Sequence, residues 1–304
     1  MTHLIRQTGH LVIETPNLDA SVTEAIQFLG LRLTHQDHES AALTSNARRG
    51  ELTYITGPRV AVRSVGLEAE SDAAVEEALR RVKRASCDII SKTPVAPGAK
   101  TGFVFRTPYA HCFEVHGPVP RDQPDDYTTN GIRPKRLDHV QLMAPNAKGL
   151  GALLIETLGM QLSDRSDNDE FIFLRAADGL HHTVAIIQGP PRLHHVAWEA
   201  AQLTDLIRVA DQLKRLGRTL IWGPGHHGAN AQSYFTYHRD VVGCIVEYSY
   251  GMTRIEDEAA YKPGVWPAQP RPGEDWLNEW GAPPSDLFTA GGVPVAALEH
   301  ASNF

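Results

Sequence analysis

One pattern, written four times along the chain, constrains the fold more than any other feature. Its clearest copy runs from Asp138 to Ile187. A strand-like run, HVQLM, leads to Asn146, which is placed to cap a helix over Ala147–Leu158, and Gly159 is placed to end it. Three short strand candidates follow, MQLS, EFIFLRA and HHTVAII, with a polar Asp/Asn turn after the first. The unit therefore reads β-α-β-β-β. One such unit leaves a sheet face bare, so units must pair, and a pair closes a curved sheet around a cavity.

The stretch from His194 to Tyr250 has the same order: HHVAWEA, an amphipathic helix over Leu203–Leu216, then TLIWG, SYFTYH and CIVEYSY. In that helix Leu203, Ile207, Ala210 and Leu213 are expected to face the core. The first half repeats both units. GHLVIETP, a helix over Leu18–Leu29 and strands through LTYITG make one; RVAVRSVGLEAE, a helix over Asp72–Arg84, GFVFRTP and HCFEVHG make the other. The expected fold class is thus α+β, with two paired-module domains at 1–118 and 136–250. A Pro- and Asp-rich linker at 119–135 separates them, and a tail at 251–304, marked by Trp266, Trp276 and Trp280, is expected to pack on the second domain.

Three strand segments of the second half each offer one metal ligand: His139, His195 and Glu247. Two imidazoles and one carboxylate hold Fe(II) on one face and leave the other open. A lone strand histidine is usually a hydrogen-bonded core residue. What separates these three from that ordinary reading is position, because His139 and His195 begin successive units and Glu247 closes the second. In the first half His10 falls opposite His139, Ser64 opposite His195 and Glu114 opposite Glu247, at offsets of 129, 131 and 133. A serine hydroxyl is a poor Fe(II) ligand, so metal is expected only in the second half.

The net charge of -7 gives no reason to expect nucleic acid or an anionic membrane as partner. No apolar run approaches the length of a membrane span, and the N-terminus lacks the pattern of a signal peptide, so a cytoplasmic enzyme is expected. Cys87, Cys112 and Cys244 show no paired metal spacing and read as small apolar fillers.

HVQLM, PRLHHVAWEA, HHTVAII and the run IWGPGHHGAN followed by YFTYH and CIVEY together resemble the type I extradiol ring-cleavage dioxygenases of the vicinal oxygen chelate superfamily. The resemblance implies His139, His195 and Glu247 as ligands of Fe(II), with Mn(II) compatible with the same donors, and a catechol-type diol and O2 as substrates. It implies His181 as the histidine that stabilises charge on oxygen and returns a proton, and His227 and Tyr237 as hydrogen-bonding partners of the substrate hydroxyls. Alternation sends one of His181 and His182 inward, and likewise one of His226 and His227; counting back from His195 points to His181, and the GPG-x-H-G pattern to His227. His194 is expected to point away from the metal and to be structural.

Two departures stand out: an apolar turn, Asp240-Val-Val-Gly243, before the glutamate strand, and one extra residue between His227 and Tyr237. The resemblance also implies a homo-oligomer, with a tetramer favoured. Two other functions fit the superfamily: a metal-dependent isomerase or lyase, glyoxalase- or epimerase-like, with four protein ligands, and a non-catalytic small-molecule-binding protein that needs no ligand triad.

Overall fold

The four sequence units become four β-α-β-β-β modules. The computed structural model describes residues 3–122, 131–228, 231–269 and 277–297; linker residues 123–130, Ala229 and Asn230 of the glycine-rich motif, and Trp276 lie outside these. The first module comprises β1 (Ile5–Thr15), α1 (Leu18–Gln27), β2 (Arg32–Gln36), β3 (Ser40–Thr44) and β4 (Leu52–Thr56). The second comprises β5 (Ala61–Ala69), α2 (Asp72–Arg84), β6 (Asp88–Ser91), β7 (Gly102–Arg106) and β8 (Cys112–His116). The third comprises β9 (Arg136–Ala144), α3 (Ala147–Leu158), β10 (Gln161–Ser166), β11 (Phe171–Arg175) and β12 (Val184–Gln188). The fourth comprises β13 (Arg192–Glu199), α4 (Thr204–Arg215), β14 (Trp222–His227), β15 (Tyr234–Arg239) and β16 (Ile245–Tyr250).

Each half makes one sheet, and in each the first strands of its two modules sit side by side at the centre. The orders are β2-β3-β4-β1-β5-β8-β7-β6 and, for the modules of the second half, β10-β11-β12-β9-β13-β16-β15-β14. Registers repeat as well. Ser64 pairs with Val12 as His195 pairs with Gln141, and Gly66 pairs with Glu114 as Ala197 pairs with Glu247. The duplication read from sequence offsets is therefore also a duplication of hydrogen-bond register. One continuous apolar core joins the sheets, running from Ile5, Leu11 and Phe113 to Val140, Leu142 and Trp198.

Local chemistry explains the helix ends. The Asn146 side chain accepts the Gly149 N–H at 2.8 Å, and Gly159 ends α3 in the left-handed conformation at φ 65°. On α4 the expected inward face requires correction. Leu206, Val209 and Leu213 are buried, whereas Leu203 and Ile207 are 45% and 54% exposed. The helix offers two apolar stripes that share Leu213, and it packs the 206/209/213 stripe on the sheet.

After Tyr250 the chain returns to the second sheet three times. β17 (Gly264–Trp266) pairs with β10, β18 (Asn278–Trp280) with β14, and β19 (Val293–Pro294) with β13. A short helix, α5 (Asp286–Thr289), lies between the last two. No helix among the described residues is long and apolar enough to cross a membrane.

Candidate metal centre

β9, β13 and β16 lie side by side and bring His139, His195 and Glu247 to one point. Their ligand atoms all lie within 4.8 Å of one another, and theirs is the one such group among the described residues. His139 Nε2 and His195 Nε2 stand 3.2 and 3.3 Å from the same oxygen, Glu247 Oε2. Two donors each about 2.1 Å from a common ion and at roughly right angles lie about 3 Å apart, so the spacing fits a divalent metal. Glu247 is 1% exposed, yet neither carboxylate oxygen accepts a well-aligned hydrogen bond from the described residues, although His139 and Tyr237 stand close enough to interact with it. A buried carboxylate without donors is costly unless a cation faces it. The residues present therefore fit a metal ion.

The imidazoles are prepared for that task. His139 Nδ1 donates to Asp138 Oδ2 at 3.2 Å, which leaves Nε2 to face Glu247. Burial opposes charge on His139, but Glu247 and Asp138 raise its pKa to about 9, so without a metal the ring holds a proton that a bound ion must displace. Burial pushes His195 well below the ordinary histidine range, so its ring is neutral, as a ligand must be.

A cavity of about 310 Å³ opens onto the three ligands. His182, Tyr237 and His227 line it together with an apolar wall that includes Phe173, Trp222 and Phe288. His227 Nδ1 donates to the Leu277 carbonyl at 3.0 Å, so its Nε2 is free to accept from the Tyr237 hydroxyl at 3.2 Å. His226 turns the other way and stacks on Tyr234 with ring centroids 4.2 Å apart. Burial, followed by the Glu247 carboxylate, holds Tyr237 protonated by raising its pKa well above the usual range. Tyr237 pairs in register with Trp222 and Glu247. In the Asp240–Gly243 turn, Asp240 Oδ1 accepts the N–H groups of Val242 and Cys244 at 3.0 and 2.8 Å.

The expected placement of His181 is corrected. His181 Nε2 points to Asp164 Oδ2 at 3.2 Å, away from the cavity, and His182 takes the cavity wall with its ring 4.3 Å from that of His139. Strand alternation does not apply to this pair, since β12 begins only at Val184. The two rings remain linked, Nδ1 to Nδ1, at 3.0 Å. Asp164 also accepts from Trp266 Nε1 at 2.9 Å, which ties the tail to the back of this wall.

His194 was expected to point away from the metal, and it is not among the three ligands, but it does line the cavity beside His195. The β9–β13 register shifts between Leu193 and His195, and such a bulge lets successive residues share a side. Sequence reasoning misses this residue because a bulge leaves no trace in an alternating pattern. Phe288, whose ring stands 4.7 Å from those of both His194 and Tyr237, is missed for a different reason, since the tail that carries it lacks periodicity.

Residues 136–248 match the Glyoxalase/Bleomycin resistance protein/Dioxygenase superfamily. They are a domain of that superfamily. Metapyrocatechase 2 of Cupriavidus necator is 35% identical over 161 residues, which cover 52% of this chain and 48% of that protein, so the match spans about half of each. The superfamily's vicinal oxygen chelate fold extends over nearly the whole chain. The Mn(II)-bound glyoxalase from Novosphingobium aromaticivorans superposes with a TM-score of 0.88 at 23% identity, covering 99% of this chain and 100% of its own. Homoprotocatechuate 2,3-dioxygenase from Brevibacterium fuscum gives 0.87 at 19% identity, with coverages of 98% and 96%. At these identities the two structures establish the fold.

Proposed function

We propose that the chain is an extradiol dioxygenase, opening a catechol-type ring next to its diol with both atoms of O2 entering the product. His139, His195 and Glu247 are its metal ligands in this reading. The single observation carrying it is the Glu247 carboxylate, buried and without a well-aligned hydrogen-bond donor among the described residues, facing two Nε2 atoms at the end of an apolar cavity. Fe(II), or Mn(II) on the same donors, would be held by these three residues and would supply Lewis-acid and electron-transfer chemistry to the diol and O2.

The chain's own residues then do the rest. The apolar walls exclude water and grip the ring face. The Tyr237–His227 pair sits where substrate hydroxyls enter. With its proton given to His227, the Tyr237 oxygen accepts from a substrate hydroxyl and His227 can take up a released proton. His182, not His181, is the side chain in place to take up a proton released by the diol and then to return it to oxygen. The product expected from cleavage next to the diol is a 2-hydroxymuconic-type semialdehyde, and the enzyme serves aromatic catabolism as a cytoplasmic homo-oligomer, a tetramer by family resemblance.

A glyoxalase- or epimerase-like isomerase needs a fourth protein ligand, and none joins the three among the described residues. A non-catalytic binding protein leaves the ligand cluster without a role. The test is to prepare the protein anaerobically with Fe(II) or Mn(II), add catechol or 2,3-dihydroxybiphenyl with air, and follow O2 uptake and the yellow ring-fission product. Stoichiometric uptake is the expected result; no uptake with either metal across a broad catechol panel rejects the activity.

A further inference from the structure

We infer that the C-terminal segment is part of the metal centre: the Phe288 carbonyl, acting through His194, holds His195 in the tautomer whose bare Nε2 faces the ion. This rests on the reading of His195 as a ligand. The route begins where β19 pairs with β13 at Arg192 and Leu193. Gly292, at φ +98°, lets the chain cross there; a Cβ on it would meet the Leu193 carbonyl oxygen at 2.9 Å and His194 Cα at 3.2 Å. That close approach sets α5 over His194, with the Phe288 ring edge-on at 4.7 Å and its carbonyl oxygen 3.0 Å from His194 Nε2.

Hydrogen-bond roles along the route follow one from another. A carbonyl oxygen only accepts, so the neutral His194 ring carries its proton on Nε2 and its Nδ1 is bare. His194 Nδ1 lies 2.9 Å from His195 Nδ1, which must then donate. The proton of His195 is thereby fixed on Nδ1, and its Nε2 lone pair faces Glu247 Oε2 at 3.3 Å. The Nδ1 proton of His139 is likewise anchored, by its own strand neighbour Asp138. The two imidazoles thus have different anchors, and that of His195 comes from about a hundred residues further along the chain. Groups that orient a metal-bound histidine in this way govern affinity as well as geometry. His194 is accordingly a positioning residue.

The test uses Zn(II) as a diamagnetic probe with the full-length apoprotein. His194→Asn keeps an acceptor near the place of Nδ1, whereas His194→Leu keeps the bulk and removes the acceptor. Chelator competition should show the Leu variant binding Zn(II) about 10- to 100-fold more weakly than wild type, and the Asn variant recovering most of that loss. Nitrogen-15 NMR of the wild type, which does not depend on a variant folding, should show His195 bound through Nε2 with its proton on Nδ1. A Leu variant that binds as tightly as wild type, an Asn variant as weak as Leu, or His195 bound through Nδ1 overturns the relay. Failure of the wild type to bind Zn(II) at all removes the ligand assignment itself, and the relay with it.

Discussion

Glu247 and Glu114 occupy equivalent rungs of the two sheets, and their surroundings decide what each does. Glu114 Oε1 accepts the N–H groups of Val95 and Ala96 at 2.8 and 3.0 Å, and His10 Nε2 stands 3.0 Å from Oε2. Glu247 has the two imidazoles and no well-aligned hydrogen-bond donor among the described residues. The Ser64 position alone argues from sequence against a first-half metal; the backbone donors on Glu114 supply a second reason that no sequence pattern discloses. The histidine pair at 181–182 shows the opposite limit. Both histidines were visible, yet the choice between them depended on where β12 starts. His182→Asn is therefore predicted to keep its metal and lose about 10²- to 10⁴-fold in kcat. Metal analysis beside O2-uptake kinetics checks this, and loss of the metal would make His182 structural. His181→Asn should show a smaller loss, because it acts on the cavity only through the His182 ring.

Helices and turns were legible where a local chemical signal exists. Asn146 and Gly159 mark the ends of α3 because capping and left-handed backbone are properties of those residues themselves. The inward face of α4 was not, because the choice between its stripes is made by the sheet it packs on. Leu206→Ala should cost about 2–5 kcal/mol in urea unfolding, and Leu203→Ala should fall within about 0.5 kcal/mol of wild type. Equal costs would return the core to the other stripe. The Asp240 turn makes a pH prediction. Burial raises the carboxyl of Asp240 to about 7, against the two backbone donors that lower it. A carboxyl with a raised folded-state pKa contributes stability at acid pH that is lost as pH rises through about 7. Asp240→Asn keeps an acceptor for both N–H groups and removes the ionisation. Its stability relative to wild type should therefore improve between pH 5 and pH 8, by on the order of 1 kcal/mol for this half-buried group. A pH-independent difference would mean that Asp240 is ionised throughout.

Across the whole molecule, duplication is the property that sequence conveys best, because identical modules repeat both hydrophobic period and register. Offsets between His10 and His139, Ser64 and His195, and Glu114 and Glu247 correspond to matched strand pairings. What duplication cannot convey is the material added after it. The segment beyond Tyr250 lacks periodicity, yet it places Phe288 in the cavity wall and Trp266 behind His181. In the proposed function, one copy of a duplicated fold serves as a single metal centre held by His139, His195 and Glu247. The most direct measurement is metal content per chain after anaerobic reconstitution with Fe(II) or Mn(II) and removal of free ion. One ion is predicted for wild type and for His10→Ala, and none for Glu247→Ala. An ion retained by Glu247→Ala, or a second ion in wild type that His10→Ala removes, would contradict it.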